Sequence, residues 1–131
     1  MTSGTARVRV RYAETDRMGV VYYANYLVWF EVGRAEWMRA LGTTYRALEA
    51  EGVQLPVIEA RCQYFRPGRY DDDLEIRVEA RLLSPARVRF DYEVMRPADH
   101  ARLAAGHTEH AVTNTAGRPR RLPGPVRSLF E

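Results

Sequence analysis

The chain contains no lysine, and all 20 of its cationic side chains are arginines. Its one cysteine, Cys62, rules out an internal disulfide and any multi-cysteine metal site. No apolar run approaches the roughly 20 residues of a membrane span. Residues Met1 to Arg7 lack an apolar stretch behind a basic end, so no secretory signal is expected. Internal repeats and low-complexity tracts are absent too. The cation excess is small, 20 against 17 acids, and the two signs are mixed along the chain. That argues against binding to nucleic acid or to a membrane surface. Arginine in place of lysine is read first as a GC-rich genome, ahead of thermal adaptation, and neither reading bears on function. The expectation is a soluble, cytoplasmic, single domain spanning residues 1–131.

The patterning predicts an α+β fold. Arg7 to Tyr12 alternates arginines with Val8, Val10 and Tyr12, as a strand with one dry face does. A loop with Gly19 leads to a long helix at about Asn25 to Leu41. Leu27, Phe30, Trp37 and Leu41 fall on or near one face, and Gly33 allows a close approach. Glu31, Arg34, Glu36 and Arg39 sit on its wetter side. Asn25 is placed to cap the start and Gly42 to end the helix. A short helix, Thr43 to Glu51, stops at Gly52.

Four strands follow in series: Pro56–Arg66, Leu74–Leu83, Arg87–Arg96 and Ala101–Asn114. Short connections favour antiparallel neighbours. The tail beyond Leu122 is rich in proline and glycine. One helix on an antiparallel sheet leaves sheet edges to be covered, and self-association would cover them.

The unusual stretch runs from Arg11 to Arg34. Asp16 lies in a loop whose far end supplies the unpaired amides of a helix start. Such amides can hold a carbonyl oxygen as negative charge grows on it, and a nearby carboxylate can attack or activate water. Read from residues alone, an aspartate after threonine more often shapes a turn. His107 and His110, three residues apart on a strand, point to opposite faces, so no metal site is expected. Nucleophile elbows and phosphate-cradling glycine loops are absent. Arg118, Arg120, Arg121 and Arg127 occur in a segment without acids, and Arg87 and Arg89 open a strand. Guanidinium clusters of this kind suit phosphates.

The segment Glu14-Thr15-Asp16-Arg17-Met18-Gly19-Val20-Val21-Tyr22-Tyr23-Ala24-Asn25-Tyr26, with Trp29-Phe30-Glu31, resembles the signature of the hotdog-fold thioesterases of the 4-hydroxybenzoyl-CoA thioesterase superfamily. Tyr64 to Asp72 and Asn114 to Pro123 are similar to later parts of the same family. The resemblance implies a long helix wrapped by a five-stranded antiparallel sheet, and a homodimer or homotetramer with its pocket between protomers. It implies hydrolysis of an acyl-CoA thioester, with no cofactor beyond the coenzyme A of the substrate. Asp16 would be nucleophile or general base, and the backbone amide of Tyr23 would polarise the carbonyl. Gly19, Tyr22, Asn25 and Tyr26 would contact substrate, and Arg87, Arg89, Arg118, Arg120 and Arg121 would meet the phosphates.

One departure stands out: relatives associated with the Tol-Pal system carry histidine where Tyr23 stands. A phenol stays protonated at neutral pH, so Tyr23 is no proton carrier, although its amide is unchanged. The alternative reading is a non-catalytic acyl-CoA or acyl-carrier binding module on the same fold. A dehydratase ranks lower, because no histidine accompanies the acid in the early loop.

Overall fold

The computed structural model describes residues 1–131. In chain order it has β1 (Thr2–Arg9), a 3₁₀ turn (Tyr12–Glu14), α1 (Asn25–Ala40), α2 (Tyr45–Ala50), β2 (Val57–Tyr64), β3 (Asp73–Ser84), β4 (Arg87–Arg96), β5 (Ala101–Ala111), α3 (Gly124–Arg127) and a last 3₁₀ turn (Ser128–Phe130). The strands form one antiparallel sheet in the order β1-β3-β4-β5-β2.

That order corrects the serial arrangement expected for the last four strands. The tight β3–β4 and β4–β5 turns make those three strands neighbours and fill both sides of β4. Only the outer sides of β3 and β5 remain. β1 takes the first, and β2 takes the second, with Val57 opposite His110 and Tyr64 opposite Ala104. The connection after β2 must therefore cross back to β3, and it passes Asp16 on the way.

Strand alternation places the core. Leu74, Ile76, Val78 and Ala80 of β3 are buried, and so are Val88, Phe90, Tyr92 and Val94 of β4. Helix α1 lays Tyr26, Trp29, Phe30, Gly33, Trp37 and Met38 on this face. Gly33 is required there: a Cβ would sit 2.7 Å from Val78 Cγ2 and 2.9 Å from Ile76 Cγ2. Gly42, with φ +86°, ends the helix region in the left-handed conformation.

Several expectations need correction. Leu27 and Leu41 are about 40% and 39% exposed, so the apolar stripe of α1 runs through Trp29 and Met38 instead. Arg34 is not on a wet face; it reaches inward to the hydroxyls of Tyr45 (2.9 Å) and Tyr92 (3.1 Å). β1 begins at Thr2 and ends at Arg9, because the chain turns at Tyr12–Glu14, which leaves Tyr12 exposed. The C-terminal tail is structured: Phe130 is buried, 5.1 Å from Trp37 and 5.7 Å from Phe90 between ring centroids. No helix is long and apolar enough to cross a membrane.

Candidate active site

The loop from Thr15 to Val21 closes on itself. Asp16 N–H donates to the Val20 carbonyl (2.8 Å), Gly19 N–H donates to the Asp16 carbonyl (3.0 Å), and Thr15 pairs with Val21. Gly19 has φ +79°, a conformation that glycine adopts without steric cost. The Asp16 carboxylate accepts the Met18 N–H at 2.9 Å through Oδ1. The turn-forming role expected of such an aspartate is therefore present, and it occupies one oxygen. Gly68, pressed against Val21 and the Tyr26 hydroxyl, fastens the loop to the β2–β3 connection by accepting the Val21 N–H (2.8 Å).

The start of α1 has no side-chain cap. Its capping position is Ala24, and not Asn25 as the sequence suggested. The Asn25 amide instead donates to the Glu14 carbonyl (2.9 Å). Neighbouring backbone donors are used: Tyr22 N–H to Glu14, Asn25 N–H to Tyr22, Tyr26 N–H to Tyr23 and Leu27 N–H to Ala24. The amides of Tyr23 and Ala24 make no hydrogen bond. Two free donors at an uncapped helix start form a site for a partial negative charge.

Asp16 and Tyr23 line one cavity of about 320 Å³, together with Met18, Val20, Val21, Tyr26, Tyr64, Phe65, Arg66 and Pro67. The walls are mostly apolar and aromatic. Tyr64 Oη donates to the Tyr23 carbonyl (3.1 Å), and its ring lies 5.2 Å from that of Tyr26. Burial raises the Tyr26 phenol, and burial with the neighbouring Cys62 thiol raises that of Tyr64. Both stay protonated at neutral pH, and Asp16 is the one carboxylate among the lining residues. Tyr22 is exposed, with its ring 4.7 Å from that of Tyr23. Asn25 works through the loop, by its bond to Glu14.

The predicted arginines lie elsewhere. Arg120 N–H donates to the Val112 carbonyl, and Thr113 pairs with Pro119, so Arg118, Arg120 and Arg121 flank the far end of β5. Arg87 opens β4 at that same end. The Asp16 loop abuts the opposite end, where Gly68 faces Leu103. Leu103 and Val112 are nine residue steps apart along the chain, roughly 30 Å. Arg89 joins neither group: on the outer sheet face it pairs with Asp91 (3.0 Å) and Glu109 (3.5 Å).

Glu59 and His107 lie 2.7 Å apart on that outer face, and with Glu109 they bring three ligand-type atoms within 4.8 Å of one another. No spacing along the chain signals this group, because it depends on the β2–β5 register. Arg89 already holds Glu109 there. His110 faces the core instead. Sequence reasoning also passed over Glu14, Met18, Tyr64, Phe65 and Arg66 as site residues. The motif at Tyr64–Arg66 was the available signal.

Comparison with known proteins shows what the chain is similar to. The family model of the thioesterase-like superfamily matches residues 10–130. The acyl-CoA thioester hydrolase YbgC of Escherichia coli O6:H1 is 32% identical over 124 residues, 95% of this chain and 92% of its own. The 1,4-dihydroxy-2-naphthoyl-CoA hydrolase of Synechococcus elongatus is 32% identical over 120 residues, 90% of this chain and 86% of its own. Slr0204, a 1,4-dihydroxy-2-naphthoyl-CoA thioesterase from Synechocystis, shares the fold, with a TM-score of 0.92 at 24% identity, over 98% of this chain and 96% of its own.

Proposed function

The chain belongs to the thioesterase-like superfamily, and we propose that it hydrolyses an acyl-CoA thioester to the free acid and coenzyme A in the cytoplasm. The observation that carries this reading is one cavity lined by both Asp16 and Tyr23, with the Tyr23 amide free at an uncapped helix start. The thioester carbonyl would rest against the free amides of Tyr23 and Ala24, which stabilise the oxyanion as it forms. Asp16 would deliver the oxygen, by attacking the carbonyl carbon or by taking a proton from water. Collapse of the tetrahedral intermediate breaks the C–S bond. Coenzyme A leaves as a thiolate, a good leaving group that needs no strong acid beside it. In the attack route, water then cleaves the acyl-aspartate and restores Asp16.

The proposed architecture is the hotdog arrangement, with the sheet curling around α1 and two protomers joined through their β2 edges. β2 is an unpaired edge, and Val57, Ile58, Tyr64 and Phe65 are all about half exposed on or beside it. Antiparallel pairing across a two-fold axis sets the Val57 end of one strand beside the Tyr64 end of the other. That brings Arg118, Arg120 and Arg121 of one protomer toward the Asp16 cavity of its partner. The arginines would hold the coenzyme A phosphates, and the complete site would need two chains. The site itself needs only the dimer, whether or not dimers pair into a tetramer.

The test is thiol release from a panel of short, long and aromatic acyl-CoAs by wild type and Asp16→Asn. Wild-type turnover with at least a ~100-fold loss of kcat in the variant is the expected result. Equal rates would remove Asp16 from the chemistry. Binding without turnover in either protein would point to a binding module.

A further inference from the structure

Glu14 is a carboxylate that the proposed reaction does not use, and it is only 7% exposed. Its bonds run to three parts of the chain. Oε1 accepts the Arg11 backbone N–H (2.8 Å), with the Arg11 guanidinium 3.5 Å away. Oε2 accepts the indole N–H of Trp29 (3.2 Å), a buried residue in the first turns of α1. Its backbone carbonyl accepts the Tyr22 N–H (2.8 Å) and the Asn25 side-chain amide (2.9 Å). Asp16 follows two residues later, in a loop that is otherwise tied to the Tyr12 carbonyl through Thr15, to itself and to Gly68.

We propose that Glu14 is a positioning residue that sets the spacing between the Asp16 carboxylate and the free amides at the start of α1. This rests on the hydrolytic reading above. A buried carboxylate is costly to desolvate unless both oxygens are hydrogen-bonded, and an apolar residue would fill such space more cheaply. Glu14 is the one side chain that joins the strand exit to the helix body, and its carbonyl joins the same loop to the helix start. Loosening this joint lets the loop drift relative to α1. A misplacement on the order of 1 Å costs about 100-fold in rate.

The joint has a property that a packing role lacks. Both carboxylate oxygens receive N–H donors, so Glu14→Gln must turn an NH₂ toward a donor. If Gln keeps its oxygen on Arg11, its NH₂ faces the Trp29 indole. Trp29→Phe removes that opposing donor and introduces no polar group. Either change breaks the same joint, so the Glu14→Gln defect is expected not to deepen when Trp29→Phe is added.

The experiment measures kcat and KM by thiol release for wild type, Glu14→Gln, Trp29→Phe, the double variant and Asp16→Asn, with thermal melts of each. The expected result is a 10- to 100-fold fall in kcat for Glu14→Gln, with KM within about three-fold and a cooperative melt. The double variant should lose no more kcat than the worse single variant, because both changes cut the same joint. Wild-type kcat in Glu14→Gln, or a double variant no better than the product of the single losses, would overturn the proposal. Full activity in Asp16→Asn would instead overturn the hydrolytic reading, so the two failures are distinguishable.

Discussion

The imidazole Nε2 of His110 lies 2.8 Å from the hydroxyl of Thr108, two residues earlier on the same face of β5. The bond has a fixed direction. Nδ1 lies 2.8 Å from the Leu55 carbonyl, which can only accept, so Nδ1 carries the proton and Nε2 accepts from Thr108. Thr108 in turn accepts from the Tyr92 hydroxyl (2.6 Å), and Tyr92 accepts from Arg34. Protonating His110 at Nε2 would set a donor against a donor in a buried chain. Burial accordingly lowers its pKa to about 4, and burial raises that of Tyr92 to about 12.

The sign of the resulting pH dependence follows directly. The unfolded chain takes up the His110 proton near pH 6.5, whereas the folded chain takes it up near pH 4. Stability from this group is complete above pH 6.5 and is lost as pH falls toward 4, by about 3 kcal/mol in all. Urea unfolding at pH 7.5, 5.5 and 4.5 should show this slope, and His110→Gln should flatten it by close to one proton. An unchanged slope in the variant would assign the titration to other groups.

How much was legible varied with the reach of the interaction. The alternation of Leu74, Ile76, Val78 and Ala80 announces a half-buried strand, because period-2 burial is a local property. The Asp16 loop and its helix were visible for the same reason. The neighbour of β2 was not, since pairing across the sheet leaves no local mark. Leu27 and Leu41 misled because periodicity shows which residues are apolar, not what stands opposite them. Phe130 was lost in a tail whose proline and glycine suggested looseness, although it ends against Trp37. The roles of Glu14 and Arg34 depend on contacts with Trp29 and Tyr92, which no spacing rule contains.

Gly33 makes a second prediction. An alanine there gains about 1 kcal/mol in helix propensity. Its Cβ would meet the stiff branched methyls of Val78 and Ile76 at 2.7 and 2.9 Å, and such overpacking costs about 1–3 kcal/mol. The net loss is expected to be about 1 kcal/mol, or a Tm lower by about 4 °C for a domain of this size. A calorimetric scan of Gly33→Ala checks it, and a raised Tm would mean that α1 can lift off the sheet without cost.

The β2 edge makes a third. Ile58 is about half exposed on a strand with no partner on its outer side. In a β2-to-β2 dimer with the Val57 end against the Tyr64 end, Ile58→Glu places an unpaired carboxylate in the seam. Sedimentation should show the wild type as a dimer or larger and the variant shifted toward monomer. Activity should fall with the dimer fraction even though Asp16 is untouched. A monomeric wild type with full activity would require every site to be complete within one chain.

The separation of Asp16 from the arginines gives the sharpest test of a shared site. Within one chain they flank opposite ends of β5, whose contacts at Leu103 and Val112 lie nine residues, roughly 30 Å, apart along the strand. On the proposed reading, Asp16→Asn should abolish chemistry in both sites of a dimer. Replacing the three arginines by alanine should raise KM by roughly ten-fold or more, from the loss of charge-assisted phosphate contacts. In a mixed dimer, one site joins the intact Asp16 of one chain to the intact arginines of the other, while the second site carries both defects. Co-refolding the two variants in equal amounts makes half the dimers mixed, so about a quarter of the wild-type sites should return, measured at subsaturating acyl-CoA. If the arginines served the Asp16 of their own chain, mixing would restore nothing above the average of the two parents.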